Sequence, residues 1–337
     1  MTWLIIPDVI VPADMCTAVL QDLPLPALTT LLARATHTHA ANSHHTDGAL
    51  CSHFNIAQQQ DYPIAPISLS ADGGDPEQYY WLRADPVHLR ATRDQLMLVD
   101  SGAFSISLAE AELFAHAFNE YFKDDGYLLY PLRPDRWYLR VAHSPRLTTT
   151  PVHQVTGKHI DPYLPQGMDG LAWHRFYNEV QMLFFSLAVN SAREQRGEIP
   201  INGLWCWGGG HMPEMTPVTQ GKLWANDTNA RAMALMATMP NDALPTDVTQ
   251  IDDHAIILLD QLTGAAQYGD YYGWRVAMLA LEKDWFAPLL TKLISGQLKH
   301  IAISTHTPTH QLDWHCNRWN LWRIWQRAPL TQQLIAP

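Results

Sequence analysis

The chain has 337 residues, 47% of them hydrophobic and 16% charged, and a net charge of −11, enough for one large domain or two of ordinary size. That acidity argues against a nucleic-acid surface, which needs clustered Lys and Arg. No run approaches the roughly 18 apolar residues of a membrane helix. Cys16, Cys51, Cys206 and Cys316 stand far apart with no C-x-x-C, so neither a zinc knuckle nor a disulfide framework is indicated. Met1 to Pro7 lacks the basic start and long apolar core of a secretion signal. The expectation is a cytoplasmic protein with no nucleic-acid and no membrane partner.

Trp3 to Ile6 reads as a short buried strand, followed by Pro7 and Asp8. An acid just past a first strand either faces the site end of a parallel sheet or caps a turn. Residues 25 to 35 are helical in pattern. The histidine-rich run from 36 to 53 reads as a polar loop opening into a helix near Gly48. Ser43 or Thr46 there would hold a hydroxyl over a helix N-terminus, where phosphate is welcome; a solvated loop is the plainer reading.

Residues 58 to 80, rich in Gln, Pro, Asp and Gly, read as a linker. Asp94 to Asp100 is a strand. Ser107 to Glu110 is a capping box opening a helix through about Lys123. Residues 126–132 and 136–141 form antiparallel strands around a Pro134-Asp135 turn. Arg133, Arg136 and Arg140 cluster on this module. Arg136 and Arg140 share a strand face that suits a carboxylate or phosphate, or they pair with a neighbouring acid.

Residues 169–194 follow helical spacing as one long helix. Residues 201–207 are a strand running into Gly208-Gly209-Gly210, where the backbone turns sharply or is closely approached. In the last third, His254–Asp260, Trp274–Ile294 and His300–Ser304 make a βαβ unit. That unit leads into HIAISTHTPTHQLDWH, with His306 at a strand end, Pro308 in a turn and His315 on the loop beyond. Open α/β sheets build sites at such strand ends. Residues 314–327, with four Trp between Arg318, Arg323 and Arg327, read as a packing helix with its basic residues outward.

Together these pieces resemble the archaeal-type cofactor-independent phosphoglycerate mutases of the alkaline phosphatase superfamily, and more closely the RpfE-type regulatory protein family. The resemblance is carried by VDSGAFSISLAEAELFAHAFNE at 99–120, PVHQVTGKHIDPYLPQG at 151–167 and VNSAREQRGEIPINGLWCWGGG at 189–210. Asn190, Arg193, Gly197 and Trp205-Cys206-Trp207-Gly208 are its most specific part. It implies an α/β fold with an alkaline-phosphatase-like, mostly parallel sheet flanked by helices, formed by residues 1–75 and 200–337. A smaller α+β substrate-cap domain, residues 76–199, would be inserted.

In such enzymes two divalent metals, usually Mn or Zn, flank a serine that is phosphorylated and dephosphorylated during transfer. The resemblance puts Asp8 at the N-terminal metal aspartate, with Val9 for its usual glycine. Ser43 (or Thr46) falls near the nucleophile, and His306 and His315 fall at two metal histidines. Arg83, Arg136, Arg140, His153 and Arg193 match or lie near basic positions that embrace the substrate, with LRADP at 82–86 in place of an arginine-asparagine motif.

The resemblance fails at three metal positions, where Thr263, Gln267 and Thr305 stand for acidic or imidazole ligands. Neutral side chains cannot balance two dications about 3.5–4 Å apart. Asp8, Ser43, His306 and His315 leave room for at most one weakly bound Mn or Zn ion, and no cofactor is expected. The expectation is a degenerate mutase-like pseudoenzyme, regulatory or binding a phosphorylated small molecule. The alternative is an active phosphomutase or phosphohydrolase whose site is rebuilt with His37, His39, His44 or His45. A third reading is a purely structural or partner-binding protein.

Overall fold

The computed structural model describes residues 1–12, 15–41, 46–92, 95–307, 310–326 and 328–334. In chain order its strands are β1 (Thr2–Ile5), β2 (Thr36–Ala41), β3 (Tyr80–Ala91), β4 (Leu96–Val99), β5 (Leu128–Tyr130), β6 (Tyr138–Val141) and β7 (Leu147–Thr148). They continue as β8 (Gln166–Gly167), β9 (Gly203–Gly210), β10 (Lys222–Trp224), β11 (Asn241–Asp242), β12 (Ala255–Leu258), β13 (His300–His306) and β14 (His310–Asn317). The chain forms two compact units, Met1–Phe54 with Thr216–Pro337, and Asn55–Met215.

In the first unit the described strands run in the order β11-β10-β12-β1-β13-β14-β2. The first five are parallel, and β14 is antiparallel to both its neighbours. A strand covered on both faces reads as a continuous apolar run, and Ala255-Ile256-Ile257-Leu258 of β12 is wholly buried. Between β12 and β13 the chain crosses over β1, so the expected βαβ unit joins strands that are not neighbours. Its helical part is not one helix: Tyr271–Leu281 and Ala287–Ser295 are joined by a π-helical turn, Glu282–Phe286.

That turn has a purpose in packing. Glu282, buried, accepts hydrogen bonds from the Ala27 and Leu28 amides at 2.5 and 3.0 Å. These are orphan donors at the start of the helix Pro26–Arg34, whose N-cap residue Leu25 has no side chain to offer them. A carboxylate from far along the chain therefore caps this helix and suits its dipole.

Two expectations fail in this unit. The run from Thr36 to Ala41 is a strand, paired along β14, and not a loop. β13 continues to His306 and returns as β14, so His315 lies within a strand and not on a loop.

In the second unit β3 is the central strand, paired antiparallel with β4, β6 and β9, while β5 pairs with β6. Strand side chains alternate between faces. Tyr80, Leu82 and Ala84 join a core with the helices Leu108–Tyr121 and Gly170–Phe185, through Phe114, Phe118, Phe176 and Phe184. Trp81 and Tyr138 pack against Ala65 and Leu69 of the helix Ile64–Ala71. That helix occupies the stretch expected to be a linker. Residues 55–75 and 200–215 consequently belong to the second unit, and the boundaries expected near 75 and 200 fall at 54/55 and 215/216.

The expected helix 169–194 is divided into Gly170–Phe185 and Ala188–Gln195. Side chains take carbonyls at the break: Ser186 Oγ donates to Leu183 O at 2.8 Å and Asn190 Nδ2 to Phe184 O at 2.8 Å. β9 continues through the triple glycine with an irregularity, its register against β3 shifting between Arg83–Trp207 and Trp81–Gly210, where Gly208 has φ +64°. A Cβ on Gly209 would stand 2.5 Å from Tyr80 Oη, and one on Gly210 would stand 2.6 Å from Pro63 Cβ. The glycines answer close packing by Tyr80 and by the residues leading into the helix Ile64–Ala71.

Candidate functional site

Parallel strands deliver their site residues at their carboxyl ends. Ile5 pairs with Leu258 on one side and Ser304 on the other. Asp8, Asp260 and His306 therefore leave one edge of the first unit's sheet on adjacent strands. Asp8 has φ +57°, a left-handed conformation that Asp tolerates better than most residues, and its carbonyl accepts the Trp274 indole at 2.9 Å. Burial, and then Asp227, push the Asp260 carboxyl above its ordinary range. Asp227 itself caps the helix Thr228–Met236 through the Ala230 amide at 2.7 Å.

His315 does not join this edge. It pairs with Ala302, four residues before His306 along β13, roughly 13 Å away at strand rise. Its ring stands edge-on to Trp3, 5.6 Å between centroids. The expected trio of Asp8, His306 and His315 is thus separated by the register of the β13–β14 hairpin. Thr46 begins the helix Thr46–His53, while Ser43, His44 and His45 lie outside the described residues. His37 and His39 pair with Trp314 and Leu312.

Thr305 is fully buried, and Thr263 starts the short helix Thr263–Gln267 with Gln267 one turn on. Among the described residues neither threonine hydroxyl has a hydrogen-bond partner. Among the described residues, too, no group of three or more His, Cys, Asp or Glu side chains is placed to hold a metal ion. Among the described residues, the donors on this edge, Asp8, Asp260 and His306, do not by themselves supply the converging anionic set that a pair of divalent ions needs.

The arginines lie in the second unit. Register places Tyr138, Arg83 and Trp207 side by side on β6, β3 and β9. The Arg83 guanidinium lies between the two rings, 5.5 and 5.3 Å from their centroids. Asp85, two residues on and so on the same face, accepts Arg83 Nη2 at 2.5 Å and Nε at 3.1 Å. The Trp207 indole donates to the other Asp85 oxygen at 2.7 Å.

Burial pushes the Asp85 carboxyl up against the pull of Arg83. Burial likewise opposes the Arg83 charge, but Asp85 together with Tyr138 and Asp72 outweighs it, and the net direction is upward. Guanidinium does not deprotonate in proteins, and both carboxylate oxygens have donors. The pair is ionic.

Arg136 donates to Asp72 from Nη2 at 2.5 Å and from Nε at 2.9 Å; Arg133 adds a bond at 3.2 Å and the Tyr138 hydroxyl one at 2.7 Å. Burial works against the charge on Asp72, yet the hydrogen bonds from Arg136 and Tyr138 prevail and hold its carboxyl below the ordinary range. His153 stands edge-on to Trp207 at 6.1 Å. Arg140 lies over the Tyr79 ring at 4.4 Å.

Arg193 is elsewhere in the unit. Fully buried, it donates to Ile199 O at 3.0 Å, Ser105 O at 2.8 Å and Glu110 at 3.2 Å. The structure thus gathers Arg83, Arg136 and His153 around Tyr138 and Trp207, and sets Arg193 apart. Sequence reasoning missed Asp72, Asp85 and Trp207 as partners. For Asp72 a signal existed: the apolar residues Ile64, Ala65, Ile67 and Leu69 followed by Gly73-Gly74 mark a helix and its stop.

A mostly parallel central sheet flanked by helices makes this a mixed α/β protein. The PH0037 protein of Pyrococcus horikoshii shares that fold, with a TM-score of 0.53 at 12% identity over 94% of this chain and 87% of that one. A cofactor-independent phosphoglycerate mutase from Thermoplasma acidophilum aligns over 94% of this chain and 89% of its own at a TM-score of 0.48 and 16% identity. No family model matches the chain.

In sequence, 167 residues are 29% identical to the 2,3-bisphosphoglycerate-independent phosphoglycerate mutase of Methanosarcina mazei, covering 44% of this chain and 42% of that protein. A probable enzyme of the same name in Geobacter sulfurreducens is 27% identical over 155 residues, 45% of this chain and 38% of its own length. The chain is therefore a homologue, at modest identity, of cofactor-independent phosphoglycerate mutases, and its match spans less than half the length of these relatives.

Proposed function

We propose that this chain is a phosphoglycerate-mutase-like protein that does not perform two-metal phosphoryl transfer and serves a regulatory or anion-binding role, as its resemblance to the RpfE-type family implies. The observation that carries this reading is Thr305. It is fully buried at the carboxyl edge of the sheet, where the resemblance calls for a metal aspartate. Thr263 and Gln267 repeat the substitution on the neighbouring helix. A neutral hydroxyl neither offsets the repulsion of two dications nor yields the charge that lowers a nucleophile's pKa.

On the ligand side, Arg83 and Arg193 are committed to Asp85 and Glu110. Arg136 is held bidentately by Asp72, so a phosphate ester would meet Arg140 and the half-exposed Arg133 first. Metal analysis of the purified full chain tests the proposal. Fewer than one tightly held Mn or Zn ion per chain is expected, together with no turnover of 2- or 3-phosphoglycerate in added Mn. Two tight ions per chain would overturn it.

The second reading, a rebuilt phosphomutase or phosphohydrolase, is favoured by Asp8, Asp260 and His306 sharing one sheet edge. It requires Mn-dependent turnover of a phosphate monoester that falls in a Ser43→Ala, Thr46→Ala double variant. Equal rates for wild type and variant would end it.

A further inference from the structure

Past the end of β14, four bulky apolar side chains stand in solvent: Trp319, Trp322, Ile324 and Trp325 are 69%, 72%, 62% and 74% exposed. The helix expected there is absent among the described residues. Trp314 lies on β14 and is buried, a short 3-10 turn spans Asn320–Trp322, and the outer tryptophans do not pack inward. The segment is nonetheless held firmly at its base. Asn317 Oδ1 accepts the Trp319 and Asn320 amides at 2.9 and 3.0 Å, and Asn320 Oδ1 accepts the Asn317 amide at 3.0 Å. Arg34 Nη1 donates to Leu321 O at 2.8 Å, and Leu330 and Leu334 beyond it are buried. The rings are held outward on a fixed support.

Basic groups accompany them. Arg318 is exposed, with its guanidinium 5.2 Å from the Trp319 ring centroid. Lys299, exposed, adjoins because His300 pairs with Asn317. From Arg318 to Pro337 the sequence has Arg318, Arg323 and Arg327 but no Asp or Glu, in a chain whose net charge is −11.

We propose that this segment is a peripheral docking surface for an anionic phospholipid membrane. Indole rings favour the headgroup level of a bilayer, and arginines beside them meet lipid phosphates. The charge asymmetry orients the approach: an acidic body is held off an anionic surface, while this basic end is drawn to it within a Debye length. Ile324 decides against single-stranded nucleic acid, since an aliphatic chain gains from acyl surface and offers no stacking face to a base. Paired copies of the same patch would bring like charges together, which disfavours a symmetric dimer here. Within the first unit, β14 ends at the edge where β13 begins, so the surface lies at the opposite end of the sheet from Asp8 and His306. Docking of this kind needs no spanning helix, and none of the described helices is long and apolar enough to be one.

The test is co-sedimentation of the full chain with phosphatidylcholine vesicles with and without phosphatidylglycerol, alongside tryptophan emission. The expected result is pelleting and a blue shift with the anionic vesicles only, weakened by salt. A Trp322→Ser, Trp325→Ser variant with unchanged circular dichroism should lose both. Arg318→Glu, which leaves the rings in place, should bind about thirtyfold more weakly, since the reversal moves two charges at the surface. The proposal is overturned if wild type stays in the supernatant or if Arg318→Glu binds as well as wild type. It is also overturned if a single-stranded oligonucleotide binds more tightly than the vesicles, or if light scattering shows a dimer that the tryptophan variant dissolves.

Discussion

Asp72 takes hydrogen bonds from Arg133, Arg136 and Tyr138. Its native carboxyl titrates below the ordinary range, so in ionised form it favours the folded state at neutral pH. That contribution is lost as the pH falls from about 4, the unfolded value, down through the native one. Denaturant titrations should show wild type losing stability over this acid window and Asp72→Asn showing a flatter profile; parallel profiles would remove Asp72 from the account. At the Arg83–Asp85 pair, Asp85→Ala strands a buried guanidinium, and a loss of about 3–5 kcal/mol is expected in chemical denaturation. An Arg83→Met, Asp85→Leu double variant should recover most of it, because the cost lies in the unmatched charge. These partnerships were hidden in the sequence for a definite reason. An arginine is equally ready for a ligand phosphate or an internal carboxylate. Asp85 stands two residues along the same strand from Arg83, whereas Asp72 comes from the end of the helix Ile64–Ala71, 64 residues before Arg136.

Elements differ in how far local rules decide them. The capping box was fully legible: Ser107 Oγ accepts the Glu110 amide at 3.2 Å and Glu110 Oε2 the Ser107 amide at 3.0 Å, four residues supplying the whole interaction. The helix Pro26–Arg34 has no such local cap, and its acceptor Glu282 arrives from the π-helical turn. Glu282→Ala leaves two buried amides unsatisfied and should cost about 1–3 kcal/mol, seen as a lower denaturant midpoint. A change under a few tenths would mean water replaces the carboxylate. Gly209 on β9 is a second case, since nothing in GGG names the ring that lies against it. Gly209→Ala should destabilise the chain by about 1–3 kcal/mol through overpacking against Tyr80 and Leu82. Tolerance of that change would show that Tyr80 moves aside freely.

The two units also differ in how the chain builds them. The second is one continuous stretch, Asn55–Met215, with β3, its partner strands and their core all inside it. Expressed alone, that stretch should unfold cooperatively in denaturant with an ordinary m-value; a broad, non-cooperative transition would refute its independence. The first unit is discontinuous, because β1 lies between β12 and β13, strands some 250 and 300 residues away. Composition, hydropathy and motif were enough to indicate the α/β class, seven of the fourteen described strands and the mutase resemblance. These are properties of residue type and local spacing, and they need no partner. Tertiary structure alone decided that His315 sits mid-strand away from Asp8 and His306, that Arg136 meets Asp72, and that the last tryptophans face outward. Each depends on which distant segment lies alongside, a choice made by register and by burial of whole faces, which no local window of the chain contains.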